Sequence, residues 1–125
     1  EVQHGMPIQL LLKYFDKKDE SWQIKPEVRS MVTSKYYNLL DKLAPLGGYD
    51  SVFCRNVLIY FSSEIKSDIL NRMATSLNPG GYLFLGGSES PTSYTDAFEM
   101  VRTPKGVVYR VKESAHKGNP FAARR

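Results

Sequence analysis

The sequence holds one cysteine, Cys54, and two histidines, His4 and His116. A single thiol builds neither a disulfide framework nor a multi-cysteine zinc site. The two histidines lie far apart, and no Cys or His stands near either at ligand spacing, so no metal site is expected. No apolar run approaches the roughly 20 residues that span a bilayer. The polar start Glu1–Gln3, with no apolar stretch behind it, does not read as a secretory leader. Nine glycines and seven prolines in 125 residues are too few for a collagen-like or low-complexity polymer. Charge of one sign is also scarce. The net +4 is spread along the chain, apart from the Arg124–Arg125 end. It makes no basic stripe of the kind a nucleic-acid binder carries. These absences leave a reducing, cytoplasmic setting as the expectation, with no nucleic acid and no membrane insertion.

What is present is globular: 42% hydrophobic, 24% charged and 12% aromatic residues in a 14.2 kDa chain, enough to bury one core. Residues 6–15 read as a helix. Pro7 suits its first position, and Ile8, Leu11, Leu12 and Phe15 form one apolar stripe. A start so close to a helix suggests a piece of something longer. The polar stretch 16–25, broken by Trp22, suits a short hairpin. Trp22 could lie as a lid on the first helix or serve as a partner-binding aromatic. Pro26 can open a short helix with Val28, Met31 and Val32 on one face. Lys35–Leu40 (KYYNLL) is aromatic enough for a strand, and Ala44–Tyr49 carries loop signals in Pro45, Gly47 and Gly48.

The clearest stretch follows. Asp50–Cys54 has the content of a buried strand. Ser62 and Ser63 suit a helix cap and Glu64 a first turn. Ile65, Ile69, Met73 and Leu77 recur every four residues with Leu70 alongside, as a helix packed on a sheet requires. Asn78-Pro79-Gly80-Gly81 stops that helix, and Tyr82–Leu85 is a second buried strand. Strand, helix, strand makes a parallel, right-handed βαβ unit. Phe98–Arg102 and Val107–Val111 flank Thr103-Pro104-Lys105-Gly106, a type I turn pattern closing an antiparallel hairpin. The end from Ser114 is polar and expected to be loose.

An open α/β sheet binds ligands outside the carboxyl ends of its strands. Three places qualify: Asn38–Leu39, Arg55–Asn56 and the run Gly86-Gly87-Ser88-Glu89-Ser90. An asparagine can read a base edge or hold an amino-acid group, and it can equally end a strand as a turn residue. Gly86–Gly87 suits a tight turn better than a phosphate cradle, because no lysine follows and no GxGxxG is present. Tyr60 and Phe61 suit core packing, and Cys54 suits the role of a small buried hydrophobe rather than a nucleophile.

From Tyr49 to Glu89 the chain reads YDSVFCRNVLIYF, then an amphipathic helix, then LNPGGYLFLGGSES. This run resembles the CheR-type chemotaxis receptor methyltransferases, which are S-adenosylmethionine-dependent protein-glutamate O-methyltransferases. FCRNVLIYF is the specific block; LxPGGYLFLG is shared with many methyltransferases. The opening VQHGMPIQLLLKYF, KYYNLL and the closing VRTPKGVVYRV resemble the family in the same order, so the resemblance covers about residues 2–112. Gly87 departs from it, standing where many members carry His in a GHSES-like run.

The resemblance implies an α/β fold: a partial Rossmann-like class I methyltransferase sheet, strands 3 to 7 of seven in the order 3-2-1-4-5-7-6. Lys35–Asn38 would be strand 3, Asp50–Cys54 strand 4 and Tyr82–Leu85 strand 5, with the closing hairpin as strands 6 and 7. Strands 1 and 2, the glycine loop after strand 1 and the acidic ribose ligand have no counterpart here. The expected organisation is a C-terminal part of the catalytic domain at 1–112, containing a small β-hairpin subdomain at about 13–25, and a polar tail at 113–125. The short stretch between Phe15 and Trp22 lacks glycine. It resembles members that do not bind a receptor-tail peptide by strand addition.

Residue by residue, Asn38 and Leu39 match the pair that contacts the adenine end of the cofactor. Arg55 and Asn56 match the pair beside the methyl donor, and Tyr60 the tyrosine facing the sulfonium and the incoming carboxylate. No metal is implied. A carboxylate is already ionised near neutral pH, so no general base is needed and positioning does the catalysis. The implied partner is the cytoplasmic domain of a chemoreceptor. With part of the S-adenosylmethionine site missing, this stretch alone is expected to be inactive and to pair or swap with a second copy across the open sheet edge. The alternatives are a non-catalytic receptor-binding or self-associating module and a methyltransferase of a different substrate.

Overall fold

The computed structural model describes residues 5–41 and 48–113. Of the loop expected at Ala44–Tyr49, residues 44–47 lie outside the described residues and Tyr49 already opens a strand; both histidines, and the expected tail 113–125 from residue 114 on, also lie outside them. The chain divides into two compact units, Glu1–Tyr37 and Asn38–Arg125.

In the first unit, α1 (Ile8–Tyr14) leads straight into β1 (Phe15–Lys18), which pairs antiparallel with β2 (Ser21–Ile24) before the single turn α2 (Pro26–Arg29). Pro7 is the residue before α1 rather than its first helical residue. Pro26 does open α2, where its missing N–H has no helical partner to lose. The hairpin turns at Asp19, which takes a left-handed φ of 54°. Asp tolerates that region better than most residues. The register Phe15↔Ile24 and Lys17↔Trp22 puts Phe15, Trp22 and Ile24 on one face, all half-buried. Of the α1 stripe only Leu11 is buried; Ile8 and Leu12 are about 60% exposed (59% and 60%).

Lys35–Leu40 is not a strand. A strand persists only where a neighbour supplies its ladder, and no ladder here includes this segment. Its end turns instead: Asn38 Oδ1 accepts the Leu40 N–H at 2.9 Å, and the Asn38 carbonyl accepts the Asp41 N–H at 2.9 Å.

The second unit holds a four-stranded mixed sheet in the order β3-β4-β6-β5: β3 (Tyr49–Cys54), β4 (Leu77–Leu85), β5 (Phe98–Thr103) and β6 (Gly106–Val111). β3 and β4 are parallel and joined by α3 (Ser63–Ser76); β4–β6 and β5–β6 are antiparallel. The helix starts where its sequence says. Ser62 Oγ accepts the Ile65 N–H at 3.4 Å, and Glu64 sits in the positive first turn. Ile69, Leu70, Met73 and Ala74 form its buried face against Leu77, Leu83, Phe98, Tyr109 and Val111. Those large side chains are sealed from water and supply most of the unit's apolar burial.

The helix ends at Ser76, before the expected stop: Leu77, read as the last position of its apolar repeat, opens β4, and Asn78–Gly81 lies inside that strand rather than preceding it. The register shifts between Tyr49↔Leu77 and Ser51↔Tyr82, and the extra residues are held by Asn78, whose Nδ2 donates to Asp50 Oδ1 at 2.7 Å and to the Gly48 carbonyl at 3.3 Å. Gly80 supplies a φ of 78°, and at Gly81 a Cβ would meet the Asn78 carbonyl at 2.9 Å. The β5–β6 hairpin forms as expected, with Thr103 paired to Gly106 across Pro104-Lys105.

α3 lies against one face of the sheet, the side of Val52, Cys54, Leu83 and Leu85. On the other face Phe53 stacks on Phe84 with centroids 4.4 Å apart, and Phe53 stays 71% exposed.

Candidate functional site

Parallel strands β3 and β4 end side by side at Cys54 and Leu85. The chain then turns at Arg55–Asn56 on one side and Gly86–Gly87 on the other. Asn56 adopts a left-handed φ of 59°, which reverses the chain within one residue of the strand. A 3-10 turn (Leu58–Tyr60) follows and buries Leu58 while leaving Tyr60 80% exposed. Tyr60 is therefore not a core aromatic, whereas Phe61 packs against the core.

Glu89 joins the two strand ends. Its Oε1 accepts the N–H of Asn56 at 2.7 Å and the N–H of Gly86 at 2.9 Å. A Cβ on Gly86 would stand 2.7 Å from that oxygen and 2.9 Å from Asn56 Nδ2, so a larger residue there would displace both side-chain ends. The Gly86–Gly87 turn is thus filled by a side chain of this protein and is no phosphate cradle. Gly87 opens onto free space. A cavity of about 250 Å³ lies beside Glu89, lined among others by Ile59, Lys66, Ser88 and Tyr94. Lys66 Nζ sits 4.9 Å above the Tyr94 ring and 3.5 Å from its hydroxyl.

Cys54 is buried at the end of β3, and burial followed by the Glu89 charge pushes its thiol up. Both causes favour the neutral thiol, the opposite of nucleophile activation.

The Asn38–Leu39 segment is tied to the helix behind the sheet. Arg72 of α3 donates from Nη2 to the Leu39 carbonyl at 2.7 Å and from Nη1 to the Asp41 carbonyl, while Nε pairs with Asp68 Oδ2 at 3.0 Å. Leu39 packs against the core cluster. Sequence patterns gave no role to Arg72 or to the Glu89 carboxylate. The signals available were thin: an acid four residues before Arg72 on the same helix, and an acid three residues after Gly86.

Of the residues matched to cofactor contacts, the exposed Arg55 and Asn56 directly follow β3, whereas the exposed Asn38 and the half-buried Leu39 lie in an irregular segment and end no strand. Among the described residues no group of three or more His, Cys, Asp or Glu is placed to hold a metal ion. No described helix is long and apolar enough to cross a membrane.

Comparison with known proteins gives this geometry its setting. Residues 1–107 match the family model described as CheR methyltransferase, SAM binding domain. The chain is 50% identical over 109 residues to chemotaxis protein methyltransferase 1 of Pseudomonas aeruginosa, covering 86% of this chain and 40% of that protein. It is 47% identical over 112 residues to chemotaxis protein methyltransferase Cher2 of Pseudomonas putida, covering 89% and 41%. With the chemotaxis protein methyltransferase of Vibrio parahaemolyticus it shares 54% over 97 residues, covering 78% and 35%. The chain thus spans about 40% of the length of the first two. The cofactor of the matched domain is S-adenosylmethionine. The residues fit one flank of such a group: the Arg55 and Asn56 side chains just past the end of parallel strand β3 and the Asn38 amide in an irregular turn, with no metal-ligating cluster among the described residues. By its sequence the chain belongs to the CheR methyltransferase family, its residues 1–107 matching the S-adenosylmethionine-binding domain.

Proposed function

We propose that the complete protein carrying this sequence transfers a methyl group from S-adenosylmethionine to glutamate side chains of a chemoreceptor cytoplasmic domain. The observation that carries this reading is the Arg55–Asn56 turn at the ends of parallel strands β3 and β4, with Tyr60 exposed one short turn later. Ligands of open α/β sheets sit at such strand ends.

When bound, the cofactor supplies an electrophilic methyl carried on a sulfonium. The residues of this chain would hold and orient. Asn38 already spends Oδ1 on Leu40, so its Nδ2 donors are what it offers to an adenine edge. Leu39 would press its side chain against the base, its backbone anchored by Arg72. Asn56 and Arg55 would flank the methyl-donor end, and Tyr60 would orient the incoming carboxylate through its hydroxyl. No residue need remove a proton, because the carboxylate arrives ionised; alignment lowers the barrier.

The sheet order β3-β4-β6-β5 agrees with 4-5-7-6, the last four strands of the family's sheet, and supports numbering them so. On that numbering strand 3, which borders only strand 2 in the family order, has no counterpart among the described strands, since Lys35–Asn38 joins no ladder. The β1–β2 hairpin would be the small β-subdomain. This stretch alone would then carry only part of the cofactor site. Its β3 edge favours a second reading for the isolated stretch, a self-associating module without catalysis.

The test is transfer of labelled methyl from S-adenosylmethionine by the complete protein to a receptor cytoplasmic fragment, beside a small-molecule panel. Base-labile label on receptor glutamates is the expected result. Label confined to a small molecule would overturn the substrate assignment, and none anywhere would favour the non-catalytic module.

A further inference from the structure

Glu89 is built in a way that stability alone does not explain. One carboxylate oxygen, Oε1, accepts backbone N–H groups from both strand ends, Asn56 at 2.7 Å and Gly86 at 2.9 Å. The other, Oε2, is buried and finds no hydrogen-bond partner among the described residues. The ion pairs there are Asp68–Arg72 and Glu99–Arg110, so no cation of the described residues pairs with Glu89. The nearby Lys66 ammonium is turned to Tyr94 instead. A carboxylate with one oxygen dry and unsatisfied costs stability. Such a group persists where it does something else.

What it does here is geometric. Asn56 sits in a left-handed conformation, which Asn tolerates better than most residues. Glu89 holds the turn in that conformation by accepting the Asn56 N–H. The same oxygen fixes Gly86, and the Glu89 N–H returns a bond to the Gly86 carbonyl at 3.0 Å, closing the turn that carries it. One atom thus bridges the two strand-end loops just past the Cys54↔Leu85 pair of the ladder. A neutral amide would accept these bonds more weakly and would place an unsatisfied donor where Oε2 lies.

We infer that Glu89 is a positioning residue for methyl transfer, which locks the Arg55–Asn56 turn at the distance from Gly86 that the methyl-donor end of the cofactor requires. This rests on the proposed function. It adds a residue that touches neither substrate nor cofactor and acts through the Asn56 and Gly86 amides.

The experiment compares the complete protein with its Glu89→Gln and Glu89→Asp variants, and with Glu99→Gln as a control for an exposed carboxylate. S-Adenosylhomocysteine affinity is measured by calorimetry, and kcat and KM are measured for each substrate well below the unfolding midpoint. The expected result for Glu89→Gln is about tenfold weaker S-adenosylhomocysteine binding and a raised KM for the methyl donor, the loss of one charge-assisted bond. KM for the receptor should be unchanged, Glu89→Asp should recover part of the loss, and Glu99→Gln should match wild type. A merely structural glutamate would lower the folded fraction and leave the affinity of the folded protein alone; that result overturns the inference. If Glu89→Gln does not fold, amide NMR of the wild-type protein decides. Slow exchange of the Asn56 and Gly86 amides, with both signals shifting on S-adenosylhomocysteine, supports the inference. Rapid exchange of both, or no shift of either, overturns it. Wild-type protein that binds no S-adenosylhomocysteine would remove the proposed function itself, and this inference with it.

Discussion

Arg72 reaches back 33 residues to donate from Nη2 to the carbonyl of Leu39 at 2.7 Å. Its side chain is 19% exposed, and its guanidinium also engages the Asp41 carbonyl and Asp68. One planar fork on α3 thus fixes a turn that has no strand to hold it. Arg is suited to this task because its donors are rigid and always charged.

Arg72→Ala is therefore expected to free the Asn38–Asp41 turn. Stability should fall by about 1–3 kcal/mol, the worth of charge-assisted hydrogen bonds. S-Adenosylhomocysteine affinity of the complete protein should fall as well. Arg72→Lys should recover little, since a point charge cannot span two carbonyls. Urea unfolding and calorimetry together check both effects; wild-type affinity in Arg72→Ala would show that this turn does not hold the cofactor.

Two adjacent glycines should respond in opposite ways. Gly86→Ala puts a methyl 2.7 Å from Glu89 Oε1 and must push that carboxylate off its two amides. A loss of about 1–3 kcal/mol is expected, typical of overpacking. Gly87→Ala meets nothing within 4 Å and should lie within about 0.5 kcal/mol of wild type. Equal effects in denaturant titrations would contradict the packing described around Glu89.

Cys54 should be inert in the folded protein. Burial first, then the Glu89 charge, raises its thiol above the ordinary value, so the folded state holds this proton more tightly than the unfolded state. The stability linked to it is complete below the ordinary thiol range near ~8.5 and is lost as pH rises through the higher folded value. Between pH 7 and 10 wild type should lose more stability than Cys54→Ala, and folded Cys54 should alkylate at least about tenfold more slowly than in urea. A thiol that reacts at the same rate in both states would contradict its burial.

The isolated 125-residue stretch presents β3 as a sheet edge, with Phe53 bare on the open face. Light scattering at rising concentration should show association, which edge pairing and apolar contact both drive. A strict monomer at high concentration would rule this out.

Much of the second unit was legible in the sequence because its signals are local. The four-residue repeat of α3, the Ser62 cap, the apolar run of β3 and the turn at Pro104-Lys105 each specify their own element. Lys35–Leu40 misled because aromatic content gives a strand its preference, while its ladder depends on neighbours that local sequence does not encode. Asn78–Gly81 read as a stop and lies within β4, because the side chain of Asn78 bridges to Asp50 and keeps an irregular run in register. The FCRNVLIYF block drew attention to Arg55, Asn56 and Tyr60; Arg55 and Asn56 directly follow β3 and Tyr60 ends the 3-10 turn beyond them. Glu89 and Arg72 act over 33 residues each, a distance at which no spacing rule operates.

The most direct measurement is calorimetric titration of S-adenosylhomocysteine into the complete protein and its Asn56→Ala variant, with the isolated stretch alongside. The expected result is micromolar binding to wild type, at least about tenfold weaker binding to Asn56→Ala, and binding to the isolated stretch weaker than about millimolar. Equal affinity of wild type and Asn56→Ala would mean that the cofactor lies elsewhere than at the ends of β3 and β4, and would contradict the account.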